Sequence, residues 1–199
     1  AVLEATGKKS EAVDANQTAV ALSPQDAEAH YNLGVTLKEL GRLDEAEASF
    51  AQAIALKPDL AEAHSNLGVT LQELGRLDEA EASFAQAIAL KPDYAEAHYN
   101  LGGTLKELGR LDEAEANFAQ AIALKPDYAE AHYNLGGTLQ ELGRLDEAKA
   151  SYKQAIALQP DLAEAHSNLG ITLQELGRLD EAEASYTQAI VLKPDYAEA

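Results

Sequence analysis

The chain has 199 residues, 46% hydrophobic and 25% charged, with a formal net charge of −19; it can bury a core, and acid spread along its length repels nucleic-acid phosphates and anionic lipid headgroups, so neither is an expected partner. No apolar run approaches the ~18 residues of a membrane-spanning helix, and the first residues lack the apolar stretch of a signal peptide. The absence of Cys leaves no disulfide, thiolate nucleophile or Cys metal site, which fits a reducing, cytoplasmic setting.

One period organises the chain. Pro24, Pro58, Pro92, Pro126, Pro160 and Pro194 recur every 34 residues, as do His30, His64, His98, His132 and His166. Residues 1–26 read as a degenerate partial repeat, with Asn16 where later repeats carry Phe50 or Tyr152. The "GKKS" at 7–10 resembles the end of a phosphate loop, but Val2 stands where the leading Gly is needed, so the match is chance. Five full repeats then occupy 27–60, 61–94, 95–128, 129–162 and 163–196, and 197–199 open a further one. The first two differ only at Tyr31/Ser65, Lys38/Gln72 and Leu60/Tyr94.

Within 27–60 two helices are legible. His30, Leu33, Gly34, Leu37 and Leu40 follow helical spacing and define one buried face, with Gly41 as a left-handed cap. The second helix begins around Leu43, with Asp44 as expected N-cap and Glu47 three residues on. It buries Ala46, Phe50, Ala53 and Ile54 and stops at Pro58; Asp59 and Glu62 repeat the capping pattern. Short loops between such helices make antiparallel neighbours, so the unit is a helical hairpin.

The pattern from His30 to Pro58, "HYNLGVTL" followed by Ala, Phe and Pro, resembles the tetratricopeptide repeat, five times in register. His replaces the family's usual Trp, and Leu37 stands where Tyr is common. The resemblance implies an all-α fold, a right-handed α-solenoid whose first helices line a concave groove. It also implies a non-catalytic scaffold that holds an extended or helical segment of a partner protein there.

Candidate groove residues follow from that implication. Glu28, Tyr31, Asn32, Val35, Lys38 and Glu39 form a stripe at helical spacing. Asn32, Asn66, Asn100, Asn134 and Asn168 do not vary. Asn offers both an acceptor and a donor, matching a peptide main chain, and the row is similar to the asparagine ladder in the tetratricopeptide superhelix of O-GlcNAc transferase. The opposing expectation is that these amides serve repeat stacking. The Val35 column reads Val69, Gly103, Gly137 and Ile171, and the Tyr31 column reads Ser65, Tyr99, Tyr133 and Ser167. Only the third and fourth repeats therefore set a Tyr beside a groove Gly, an arrangement expected to leave a hollow for a partner's side chain. The other glycine column, Gly34 to Gly170, is expected to admit the paired helix against Ala46 and its equivalents.

The carboxylate clamp by which some family members hold chaperone C-termini is missing: no Lys, Asn or Arg occupies its positions. The acidic stripe, relieved only by Lys38 and Lys106, favours neutral or basic segments. The histidines are expected to pack between helices rather than bind metal, because helices pack about 8–10 Å apart and Zn–N bonds span about 2.0–2.1 Å. If buried, they would make the fold acid-sensitive. The Asp44–Glu45 pairs compensate a helix dipole rather than perform acid–base chemistry, and no cofactor or enzyme activity is expected within the segment. Because the chain starts and stops inside repeats and lacks Met, one alternative is the substrate-recruiting region of a larger enzyme of glycosyltransferase or sulfotransferase type. A second alternative is a homo-oligomer built by end-to-end repeat stacking.

Overall fold

The structure, a computed structural model, describes residues 2–194, with side chains from Glu11 onward. The stub at 197–199 and the end of the last repeat lie outside the described residues. Two units divide the chain, Ala1–Thr104 and Leu105–Ala199. Among the described residues there are eleven helices and no strand. The first unit holds α1 (Val2–Leu22), α2 (Ala27–Glu39), α3 (Leu43–Leu56), α4 (Ala61–Glu73), α5 (Leu77–Leu90) and α6 (Ala95–Glu107) as far as Thr104. The second holds the end of α6, then α7 (Leu111–Leu124), α8 (Ala129–Glu141), α9 (Leu145–Leu158), α10 (Ala163–Glu175) and α11 (Leu179–Leu192).

Helices of 13 and 14 residues are marginal alone in water, so packing must hold them. In the first unit α2 pairs with α3 and α4 with α5, while α1 covers α2 and α3 covers α4. In the second α8 pairs with α9 and α10 with α11, while α7 covers α8 and α9 covers α10. The architecture is an all-α solenoid of antiparallel helical hairpins.

Each first helix ends as the sequence predicts. Gly41 sits at φ +72°, its N–H donates to the Lys38 carbonyl at 2.8 Å, and the Arg42 N–H donates to the Leu37 carbonyl at 3.0 Å. This is a Schellman closure, and a side chain at Gly41 would be strained by that backbone conformation. The helix starts correct the sequence reading. The residue preceding α3 is Arg42, with no side-chain cap, and Asp44 lies inside the first turn. Likewise Leu60, not Asp59, precedes α4. Asp26 does cap as a side chain, accepting from the Glu28 N–H at 2.9 Å. Elsewhere the first-turn acids Asp44–Glu45 and their copies meet the positive helix end electrostatically.

The core follows the predicted face, with one change of partner. Ala46, Phe50, Ala53, Leu33 and Leu37 are buried, whereas Ile54, Leu40 and His30 are only partly covered. Gly34 faces the Phe50 ring rather than Ala46: a Cβ there would lie 2.7 Å from Phe50 Cε1. Gly68 stands the same way against Phe84, Gly136 against Tyr152 and Gly170 against Tyr186. The missing side chain is the seat of an aromatic ring. At the N-terminal end Val13 joins the cluster of Leu33, Leu37, Ala46 and Phe50. Asn16 lacks a ring and instead donates to Thr36 Oγ1 at 2.8 Å.

Candidate functional site

In the first unit α2 lies against α4, and in the second α8 lies against α10, so each unit has a face made of first helices. The stripe proposed as groove is set partly into the core. Tyr31 and Val35 pack against the cluster around Phe50, with the Tyr31 and Phe50 rings 5.9 Å apart and tilted by 53°. Tyr133 meets Tyr152 in the same geometry, 5.9 Å and 53°. Burial therefore pushes the Tyr31 phenol up, helped by Tyr94 and Glu62 and opposed by a hydrogen bond from Asn66.

Two of the asparagines, Asn66 and Asn168, link successive first helices. Asn66 Nδ2 donates to Tyr31 Oη at 3.1 Å and to the Glu62 carbonyl at 3.0 Å, while its Oδ1 accepts from Lys38 Nζ at 2.8 Å. Asn168 Nδ2 donates to Tyr133 Oη at 3.0 Å. Asn32 is exposed, and its carbonyl accepts from Thr36 Oγ1. Asn100 and Asn134 are half-buried, their carbonyls accepting from Thr104 and Thr138. Where Ser65 replaces the tyrosine, the neighbouring Tyr94 hydroxyl takes a hydrogen bond from Ser65, and Lys91 Nζ stands 4.7 Å above the Tyr94 ring.

The two groove glycines are not equivalent. A Cβ at Gly103 would meet nothing within 4 Å. At Gly137 it would lie 3.0 Å from Lys106 Nζ and 3.5 Å from Tyr152 Oη. That hollow opens into a concavity of about 400 Å³ lined by Lys106, Gly137, Gln140, Glu141, Tyr152, Asn168 and Glu175. Lys106 pairs with Glu141 at 3.0 Å, and Tyr152 Oη donates to Gln140 Oε1 at 3.1 Å. Glu141 and Glu175 belong to the Glu39 column of the expected acidic stripe, whereas Gln140 and Tyr152 escaped the sequence reading as site residues. The available signal was that the fourth repeat combines a groove Gly with Tyr152 where earlier repeats have Phe50, Phe84 and Phe118.

The histidines correct an expectation. Each is only partly buried, and its Nε2 lies beside the carbonyl of the preceding proline: His30 to Pro24 at 3.1 Å, His64 to Pro58 at 3.0 Å, His166 to Pro160 at 3.0 Å. The acid-sensitivity expectation required buried rings, a condition these positions do not meet. Among the described residues no three His, Asp or Glu side chains are grouped to hold a metal ion, and no helix is long and apolar enough to cross a membrane.

Repeated hairpins with a variable first-helix face define a class, the helical-repeat interaction scaffolds. The tetratricopeptide repeat profiles match residues 25–93, 59–127, 105–152 and 163–196, and a further TPR repeat profile matches 4–41 and 138–177. The chain belongs to the tetratricopeptide repeat family.

Among solved structures, MamA is 26% identical with a TM-score of 0.77, the match covering 84% of this chain and 98% of that one. YrrB, described as a TPR protein with an unusual peptide-binding site, is 25% identical with a TM-score of 0.78, covering 94% and 96%. MamA from Desulfovibrio magneticus RS-1, at 21% identity and a TM-score of 0.79, covering 85% and 96%, shows the shared fold alone. Among curated proteins none matches significantly.

Proposed function

We propose that this scaffold holds an extended or helical segment of a partner protein against its first-helix face. The carrying observation is the concavity of about 400 Å³ at Gly137, polar-walled and open, on a fold that the peptide-binding YrrB shares. The asparagine row Asn32, Asn66, Asn100, Asn134 and Asn168 supplies the main-chain contacts. Asn66, though engaged by Tyr31 and Lys38, keeps an Oδ1 lone pair, and Asn32 keeps an exposed amide. Tyr31, Tyr99 and Tyr133 wall the groove, Gly103 and Gly137 open hollows, and Lys38 and Lys106 interrupt an acidic stripe that favours a neutral or basic segment.

The test is a displayed random-peptide library selected on the whole chain, with hits titrated calorimetrically against wild type and Asn100→Ala/Asn134→Ala. Neutral or basic peptides that bind wild type and lose affinity for the variant, its helicity intact at the assay temperature, are the expected result. No enriched peptide, or unchanged affinity, refutes the groove.

One observation favours a second reading, self-association. Leu179 is 64% exposed, Val191 68% and Ile190 41% on α11, whereas Leu145 and Ile156 at two of the same positions on α9 are half-covered. Light scattering across a concentration series decides this; a constant monomer mass sinks it.

A further inference from the structure

We propose that the second-helix side of the second unit docks an acidic segment of a partner protein, whose carboxylates are received by Arg178, Lys149 and Lys153.

The chain itself shows what this position holds. Arg76, just before α5, gives Nε and Nη2 to Glu79 at 2.7 and 2.5 Å, and gives Nη1 to Glu47 on α3 at 2.7 Å. Arg144, just before α9, does the same with Glu147 and, through Nη1, with Glu115 on α7 at 2.5 Å. In both units, then, the arginine Nη1 between successive second helices is the seat of a carboxylate. Arg178, just before α11, fills only half of this pattern: Nε donates to Glu181 at 2.6 Å, and Nη2 pairs with the same carboxylate. Its Nη1 has no hydrogen-bond or ion-pair partner among the described residues, because Lys149 on α9 stands in the column of Glu47 and Glu115.

The exchange does more than remove an acid. One turn further along α9, Lys153 replaces Ala51, Ala85 and Ala119, on the same face as Lys149. Lys153 is exposed and makes no ion pair or hydrogen bond among the described residues. Lys149 is tied to Asp146 within its own turn. The Asp146 carboxyl is held below its ordinary range first by Lys149, and by Arg178 as well, so α9 and the start of α11 share one field. In the preceding repeat Asp112, Glu115, Ala119, Arg144 and Glu147 set three carboxylates against one cation; here Asp146, Lys149, Lys153, Arg178 and Glu181 set two against three. In a chain of formal charge −19 this is a local reversal of sign.

A guest carboxylate on Arg178 Nη1 restores the contact that Glu47 and Glu115 make in their own repeats. A single exposed ion pair is weak in water, so a lone anion is held poorly. A segment whose acids stand one helical turn apart meets Arg178 and the lysine row together. The site lies on the second helices, and nothing in it rests on the first-helix groove.

The test labels the arginines of the whole chain, Arg42, Arg76, Arg110, Arg144 and Arg178, with a nitrogen isotope and follows their Nε–H signals. That of Arg178 is identified by its disappearance in Arg178→Lys. The probe is an acetylated, amidated, alanine-rich helical peptide with Glu at i and i+4, and its Gln counterpart is the control. The Glu peptide is expected to move the Arg178 signal more than the other four, with a dissociation constant on the order of 1 mM at low salt; the Gln peptide is expected to leave it still. Lys149→Glu/Lys153→Ala copies the earlier repeats and so keeps the fold; it is expected to weaken the response about tenfold.

An unmoved Arg178, equal movement of all the arginines, an equal response to the Gln peptide, or an unchanged response in the double variant overturns the proposal. Glutarate binding as tightly as the peptide reduces the site to a small-anion contact and overturns the partner segment. An Arg178 signal that moves on concentrating the chain alone, with a rising mass in light scattering, seats a second copy there and overturns it too. Each of these outcomes leaves the groove reading to its own test with Asn100→Ala/Asn134→Ala.

Discussion

The two glycine columns allow a paired stability experiment with opposite signs. In Gly68→Ala the new Cβ would fall 2.7, 2.8 and 2.9 Å from three Phe84 ring atoms, against 3.4 Å or more in ordinary contact. Phe84 is 0% exposed and enclosed by its hairpin, so the ring has no solvent-side direction of retreat. Overpacking of this kind costs about 1–3 kcal/mol, partly offset by about 1 kcal/mol of helix propensity gained on replacing Gly with Ala. The net expectation is a loss of about 1 kcal/mol. In Gly103→Ala the Cβ meets nothing within 4 Å, so propensity acts alone and the chain gains up to about 1 kcal/mol. Urea denaturation followed by helicity reads both as midpoint shifts at constant slope. Midpoints that move the same way would refute the assignment of one column to ring packing and the other to open groove.

Three further outcomes are set by the contacts. Asn66→Ala removes the bonds to Tyr31 and Lys38 and is expected to cost about 1–2 kcal/mol, whereas Asn32→Ala, at an exposed side chain, is expected to stay within about 0.5 kcal/mol; equal losses would mean that the asparagines do not act through stacking. Lys149 interrupts a brace: Arg76 reaches Glu47 at 2.7 Å and Arg144 reaches Glu115 at 2.5 Å, but Arg178 finds Lys149 where those acids stand. Lys149→Glu is expected to raise the urea midpoint slightly at low salt and not at high salt, and no rise at low salt refutes the brace. Hydrogen bonds from Arg42, Arg76, Arg110 and Arg144 hold the Glu45, Glu79, Glu113 and Glu147 carboxyls below their ordinary range. A depressed carboxyl stabilises the fold above its unfolded pKa, so this contribution is full at neutral pH and is lost as pH falls through the folded values, below ordinary carboxylate titration. Melting followed from pH 7 to pH 3 should therefore drop on the acid side only, and less in Arg76→Gln; an equal drop in that variant refutes the attribution.

The helices were legible because their signals are local and repeated. Gly41, Pro58 and the spacing of Leu33, Leu37 and Phe50 each act within a turn or two, and a period of 34 residues repeats the message. What escaped depends on distance across the hairpin. The Gly34 column could be seen as a packing position, but which side chain it seats, Phe50 rather than Ala46, requires the rotation of one helix on the other. Asp44 looked like a cap because its chemistry suits one, yet the helix starts earlier, at Leu43. The first-helix stripe was legible as a face but its depth was misjudged: an aromatic ring as long as Tyr31 reaches across its own helix to Phe50 while its hydroxyl meets Asn66. The concavity at Gly137 needed a comparison of columns, Gly with Tyr152, whose joint meaning is spatial.

The left-handed glycines that close every first helix, Gly41, Gly75, Gly109, Gly143 and Gly177 at φ +72° to +76°, fix each hairpin's geometry through the backbone alone. Their closing hydrogen bonds run between main-chain atoms, as from Arg76 N to the Leu71 carbonyl and from Arg144 N to the Leu139 carbonyl. Side chains at the 31, 35 and 38 columns can therefore be exchanged from repeat to repeat without retuning the turn beneath them. Mutation can edit what the face presents as one rewrites words on ruled paper, and the Tyr-to-Ser and Val-to-Gly differences between near-copies of one repeat are edits of that kind.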